Sequence, residues 1–176
     1  MNAERRSGVT FLRMFISKES VKAAHIIPKK LDREQLAHLF GDEDWEPSQP
    51  QNALSLHHKV ETLLNRGEIA IVPMAGVMKT PTEWRFIVLN ESLDMDVAYS
   101  GDYRPGQEGS IIRAQDLDNR PLQFTSANRP LRRYLYMRFL ISYLWAKRHL
   151  VAGLEQKVES KRFWPSAGTY LERSTM

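Results

Sequence analysis

Short apolar runs separated by polar turns make up most of the chain, and this pattern predicts several strands and few long helices. Runs rich in β-branched and aromatic residues predict strands at 9–16, 23–27, 53–56, 69–74, 84–90 and 122–124. The segment 91–109 is polar and holds Pro105, Gly106 and Gly109, so it predicts a surface excursion or a lid.

Helical spacing of apolar residues appears in three segments. Asp32 is a good N-cap for a helix over 33–40 that stops at Gly41. A second helix over about 55–65 carries an apolar stripe and has Gly67 at its C′ position.

The third and longest helix is predicted over about 129–151. Apolar residues nearly encircle it, which indicates a helix buried in the core. Arg132, Arg133 and Arg138 are expected to reach an edge or a pocket from it. A short polar helix and a tail over 154–176 follow.

The composition fits one soluble α+β domain spanning 1–176. The absence of cysteine excludes a disulfide framework, a thiolate zinc site and a cysteine nucleophile. Residues 1–8 are too polar for a secretory signal. Without an apolar run of about 18 residues, no membrane span is expected. An intracellular, cytoplasmic location is therefore predicted, and the oligomeric state is left open.

Charge is spread unevenly along the chain. The net charge is +4, but residues 129–162 hold nine Lys/Arg and two Asp/Glu, which gives +7 there and −3 elsewhere. Such a basic segment attracts phosphate, although solvated helix faces would account for it equally well.

One constellation of polar residues carries most of the chemistry. His25 lies at the end of the apolar run 23–27, and Asn52 opens the next strand. His57, His58 and Glu61 follow at the start of the second helix. A lone histidine in a strand is more often a core residue than a catalyst. A histidine at a helix N-terminus is commonly neutral and hydrogen-bonded.

This order resembles the ββα-metal finger of HNH nuclease-like proteins, which are abundant in filamentous fungi. The motifs that carry the resemblance are AAHIIP, NALSL, KVETLLNRGEIAIVP, RPLRRYLY and the tail FWPSAGTY. The resemblance implies an α+β fold. In it, a finger at about 23–66 is embedded in a small antiparallel sheet and backed by the long C-terminal helix.

The resemblance also implies roles for the motif residues. His25 matches the general base, and Asn52 matches the residue that orients the histidine or pins the loop. The metal positions match poorly. Ala24 stands where many relatives have Asp or His, and Glu61, six residues before Gly67, replaces the final histidine. No metal cofactor is therefore predicted. If the chain is a nuclease, Mg²⁺ or Mn²⁺ on Glu61 with His57 or His58 is expected.

These features favour a repurposed HNH-fold enzyme that performs metal-independent acid–base chemistry on an apolar small molecule. Isomerisation, dehydration or cyclisation in fungal secondary metabolism would fit. Its catalytic residues would be His25, Asn52, His57, His58 and Glu61. Substrate would contact the side chains of Arg132, Arg133, Trp84 and Tyr136, with Met74 or Met78 lining the pocket. Core packing would explain most of the aromatic residues as well, and one arginine could equally pair with an acid while the other is solvated. The alternatives are a metal-dependent DNA endonuclease with His25 as its base, and an inactive binding module.

Overall fold

The computed structural model describes residues 21–31, 33–41, 46–74, 83–100, 110–124, 128–159 and 163–164. The strands are β1 (Val21–His25), β2 (Ala53–His57), β3 (Ile69–Pro73), β4 (Trp84–Val88), β5 (Asp96–Ser100) and β6 (Ser110–Arg113). The α-helices are α1 (Arg33–Phe40), α2 (His58–Asn65), α3 (Arg132–Arg148) and α4 (Leu154–Glu159). The predicted strand at 9–16, the Asp32 cap, Met78 and the tail beyond Trp164 lie outside the described residues.

β1 and β2 form an antiparallel hairpin that is closed by α2. The register sets Ala24 opposite Leu54 and His25 opposite Ala53. Ala24 and Leu54 are buried, so this face of the hairpin belongs to the core. α2 follows β2 without a linker and packs against both strands. The finger therefore runs from residue 21 to residue 65, close to the predicted 23–66.

Two further antiparallel pairs accompany the hairpin. β3 pairs with β4, and β5 pairs with β6. The described strands thus form three two-stranded sheets instead of one small sheet around the finger. The mixed α+β class is nevertheless confirmed.

The segment 91–109, predicted as a surface excursion or a lid, contains a strand that was not predicted, because β5 occupies Asp96–Ser100. Residues 101–109 lie outside the described residues. Val97 and Tyr99 favour a strand, but flanking turn residues concealed it, and its partner β6 lies farther along the chain. The predicted strand at 122–124 is only partly formed. Its neighbour Pro121 makes an isolated bridge with Arg85, and proline has no N–H with which to extend a ladder.

α3 lies against β3 and buries one broad face. Its limits are narrower than the predicted 129–151, because the chain becomes helical only at Arg132, after Pro130. The expectation of a helix buried all round was wrong on one side. Leu144 is 61% exposed on α3.

Two arginines of α3 bind the carboxyl ends of the two preceding helices. Arg133 donates from Nη1 to the Phe40 carbonyl at 3.0 Å, at the end of α1. Arg138 donates from Nη2 to the Leu64 carbonyl and, at 3.2 Å, to the Asn65 Oδ1 atom at the end of α2. Cations stabilise helix carboxyl ends, where carbonyls lack intrahelical partners. Burial lowers the pKa of Arg138 to about 10, so it stays charged at neutral pH.

α3 also approaches the turn that ends α2. Gly67 has a φ of 69°, the left-handed region that favours glycine. A Cβ atom placed on Gly67 would lie 2.9 Å from Trp145 Cβ. The glycine predicted as a helix stop therefore also permits close packing of α2 against α3.

Candidate functional site

His25 is the last residue of β1 and is half-buried. The chain leaves the strand through Ile26 and Ile27, which are both fully buried. A short turn follows, closed by a hydrogen bond from the Leu31 amide to the Pro28 carbonyl at 3.1 Å. The His25 imidazole therefore lies where β1 ends and the loop to α1 begins.

Asn52 ends a short 3₁₀ turn (Pro50–Asn52) directly before β2, is fully buried, and fixes that loop. Its Oδ1 atom accepts from the Ile27 amide at 2.8 Å. Its Nδ2 atom donates to the Ile27 carbonyl at 3.3 Å and to the Pro47 carbonyl at 3.0 Å. Of the two roles that the resemblance implies, the contacts of Asn52 correspond to pinning the loop. Asn52 binds the backbone of Ile27, two residues after His25, and positions His25 through that segment of backbone.

Two charged side chains act on His25. Burial is the main cause of a lowered His25 pKa, and the ammonium of Lys29 lowers it further. The carboxylate of Glu61 raises it in part. The net effect keeps the pKa below 6.5, so His25 is neutral and able to accept a proton at pH 7.

Glu61 is half-buried in the first turn of α2, and that helix packs against β1 and β2. Its negative charge raises the pKa of His25, whereas burial, His58 and Lys59 lower the pKa of His57.

His57 lies at the other end of the hairpin, opposite Val21. Four residues of strand separate the two histidine positions, about 13 Å at 3.3 Å per residue. His57 is the N-cap of α2, and its Nδ1 atom accepts from the Lys59 amide at 3.3 Å. Its ring centroid is 4.4 Å from that of His58. Burial, and then the charges of His58 and Lys59, lower the pKa of His57.

The predicted pairing of His57 with Glu61 as metal ligands is therefore not supported. The Nδ1 lone pair of His57 is used in the helix cap, which corresponds to the alternative interpretation of a neutral, hydrogen-bonded histidine. His58 is exposed beside it. Asn52 holds the loop that follows His25, and Glu61 affects the pKa of His25 from α2, whereas His57 and His58 lie at the start of α2, at the other end of the hairpin.

The described side chains do not fit the metal site that the HNH resemblance implies. No three His, Asp or Glu side chains converge anywhere in the described ranges. Ala24, at the position before the base histidine, is a core methyl group with 1% exposure. Glu61 supplies a single carboxylate, whereas a catalytic zinc site of histidine and carboxylate ligands has three protein ligands.

The predicted substrate contacts lie in structural positions. Trp84 and Tyr136 are 2% and 7% exposed, and their rings contact Trp164 at centroid distances of 5.7 and 5.1 Å. These aromatic residues are core, so the prediction that they wall a pocket is corrected. Arg133 binds the end of α1, and Arg132 is half-buried at the start of α3.

Sequence reasoning missed Lys29 at the site and Arg138 as the cap of α2. Lys29 had a signal, because it follows Pro28 directly after the motif. Arg138 had none beyond its place on the apolar side of a helix, since its carbonyl partner is 74 residues away in the sequence. The sequence alone therefore did not show that the charge of Lys29 would affect the pKa of His25.

The comparison with protein families agrees with this geometry. Residues 7–72 match the family model described as HNH endonuclease. This segment is similar to HNH endonucleases, and we call it the HNH-type domain. It contains β1, α1, β2, α2 and nearly all of β3, together with His25, Asn52 and Glu61. The predicted resemblance to HNH proteins is thus confirmed over this segment, and fungal origin stays a prediction. No curated protein and no solved structure matches the chain. No helix among the described residues is long and apolar enough to span a bilayer.

Proposed function

We propose that the HNH-type domain cleaves phosphodiester bonds and that His25 is its general base. The observation that carries the proposal is a half-exposed imidazole at the motif position, at the end of β1, whose pKa is affected by the charges of Lys29 and Glu61. A base positioned in this way contributes about 10²- to 10⁴-fold to a reaction rate.

Each of the three groups has a part in this chemistry. His25 accepts the proton of the attacking oxygen. Glu61 stabilises the imidazolium ion that results, because its negative charge favours the protonated ring. Lys29 is exposed in the turn beyond β1 and offers positive charge to the phosphate. The basic segment 129–162 adds attraction for a polyanion.

Cleavage of fluorophore-labelled oligonucleotides by the full chain tests the proposal. We expect cleavage by the wild type, and loss of at least about 10²-fold in His25→Ala. His38→Ala is the matched control, because His38 is an exposed histidine of α1. Equal activity in all three proteins would contradict the proposal. Absence of cleavage in the wild type would favour a binding role or another substrate.

A second candidate is the metal-independent acid–base chemistry on an apolar small molecule that the sequence predicts, in a fungal biosynthetic pathway. The His25–Glu61 association without a third ligand favours it. Trp84 and Tyr136 were predicted to contact this small molecule, but both are buried, and this counts against the second candidate. Both candidates require His25, so the substrate distinguishes them.

A further inference from the structure

We infer that the turn at the end of α3 docks on an anionic lipid bilayer. We call this turn the α3 tip and define it by Leu144, Lys147, Arg148 and Leu150. Leu150 enters the acyl region, while the ammonium and guanidinium groups lie among the lipid phosphates. This docking is independent of the proposed cleavage, because no residue of the α3 tip belongs to the candidate functional site.

Leu150 has a backbone conformation that a leucine rarely adopts. Its φ is 54°, in the left-handed region, and it directly follows the helix cap His149. Its amide donates to the Lys147 carbonyl at 3.1 Å. The next amide, that of Val151, donates to the Ala146 carbonyl at 3.1 Å. These two bonds define a Schellman motif, whose left-handed position is usually a glycine, so a leucine at this position has a cost in free energy.

Packing of the Leu150 side chain does not offset this cost. The side chain is 89% exposed, more than any other large apolar side chain that the structure describes. Leu144 is 61% exposed on the same helix, three and four residues before the two cations of the α3 tip, so it shares their face. The chain does have glycine at its next left-handed position, Gly153, where φ is 72°. A strained leucine that is also solvent-exposed therefore points to a contact outside the described part of the chain.

Positive charge accompanies the two leucines. Lys147 and Arg148 are exposed at the end of α3, and residues 119–154 include no Asp or Glu. The Glu155 carboxylate lies 4.0 Å from the Lys147 Nζ atom, but both side chains are more than half exposed, so solvent screens this pair. The α3 tip thus combines apolar side chains with a positive rim. This combination complements a surface that is negatively charged outside and apolar within.

An anionic bilayer fits this combination better than a protein or a nucleic acid. A specific protein interface takes about 20–30 residues from each partner, far more than the α3 tip presents. A nucleic acid accommodates a leucine between base steps, at the cost of unstacking them. A second copy of the α3 tip would bring like charges together. A bilayer offers phosphates for the cations and acyl chains for the leucines at every point of its surface.

Vesicle co-sedimentation of the full chain tests the docking. We expect binding to phosphatidylcholine vesicles that contain phosphatidylserine, weaker binding to vesicles without it, and loss of binding at high salt. Leu150→Gly should lower the affinity about tenfold or more, because it removes the inserted side chain. It should also raise the midpoint of thermal unfolding, because glycine relieves the left-handed backbone. Weaker binding by a more stable protein would exclude unfolding as its cause.

Two further sets of variants sharpen the test. Ile111→Ser is the matched control, because Ile111 is a 51% exposed apolar residue on β6, and it should bind like the wild type. Replacement of both Lys147 and Arg148 by Gln should lower binding to phosphatidylserine vesicles about 10- to 30-fold. The chain has no cysteine, so Leu150→Cys accepts a single environment-sensitive fluorophore. Its emission should shift to the blue on phosphatidylserine vesicles, whereas the same label on Ile111→Cys should not shift.

Three results would overturn the docking. The first is a wild-type chain that does not bind phosphatidylserine vesicles, and the second is equal vesicle binding by the wild type and Leu150→Gly. The third is weaker binding of duplex DNA by Leu150→Gly without any vesicle binding, which would place the leucine between base steps instead. Oligonucleotide cleavage is a separate measurement, because Leu150 lies outside the candidate functional site and Leu150→Gly should retain it.

Discussion

The hairpin of β1 and β2 carries a histidine at each end, and the two histidines differ in hydrogen bonding and in burial. His57 gives its Nδ1 lone pair to the backbone of α2 and is almost fully buried. His25 is half-exposed, and charges of both signs act on it. Burial lowers the pKa of both, so both are neutral at pH 7. Both rings are neutral, so the candidate base differs from the helix cap in its exposure to solvent and in its hydrogen bonding, and not in its protonation.

The largest expected difference between the two ends is in catalysis. His25→Ala should reduce the cleavage rate by about 10²- to 10⁴-fold, because it removes the proton acceptor. His57→Asn should stay within a few-fold of the wild type, since asparagine is also a good N-cap. Single-turnover rates measured on one oligonucleotide substrate would check this. Equal losses in the two variants would mean that the two histidines form one site.

The next effect concerns the residue that holds the His25 end in place. Asn52→Ala should lower the free energy of unfolding by about 2–4 kcal/mol, because it leaves the buried polar groups of Ile27 without partners. Urea unfolding followed by circular dichroism would measure it. Gln51→Ala is the matched control, because Gln51 is the exposed neighbour in the same turn. A similar loss in both variants would contradict the pinning role.

Much of this difference between the ends could be predicted from the sequence, but not all of it. The order of His25, Asn52 and Glu61 indicated the finger, because its motif is local and its spacing to Gly67 is fixed. The sequence could not show which histidine the charge of Glu61 would affect, because that depends on how α2 packs against β1 and β2, and no local motif specifies this packing. Trp84 and Tyr136 were misassigned because pocket and core positions share aromatic composition, and only packing against Trp164 separates them.

A smaller effect is expected at the His57 end. His57→Ala should destabilise the fold by about 1 kcal/mol at pH 7, the usual cost of losing an N-cap. The folded pKa of His57 is lowered, so its contribution is present above the unfolded value near 6.5 and is lost as the pH falls through the folded value. Thermal unfolding between pH 5 and 8 should therefore show a weaker pH dependence in His57→Asn than in the wild type. An unchanged dependence would contradict this account.

The smallest expected effect tests the charge that marks the His25 end. Glu61→Gln should lower the pKa of His25 more than that of His57, because the Glu61 carboxylate raises the pKa of His25, while burial, His58 and Lys59 cause the shift of His57. NMR titration of the two imidazole Cε1–H signals would show it. A matched shift of both signals would place Glu61 between the histidines and restore the two-ligand interpretation.

Arg133 and Arg138 on α3 affect whether a shorter fragment of this chain can be stable. The segment that matches the HNH family ends at residue 72, yet Arg133 and Arg138 terminate both of its helices. A fragment cut after β3 would lose both guanidinium groups, and with them the positive charges at the carboxyl ends of α1 and α2. The segment 7–72 is therefore expected to need α3 when it is moved to another chain.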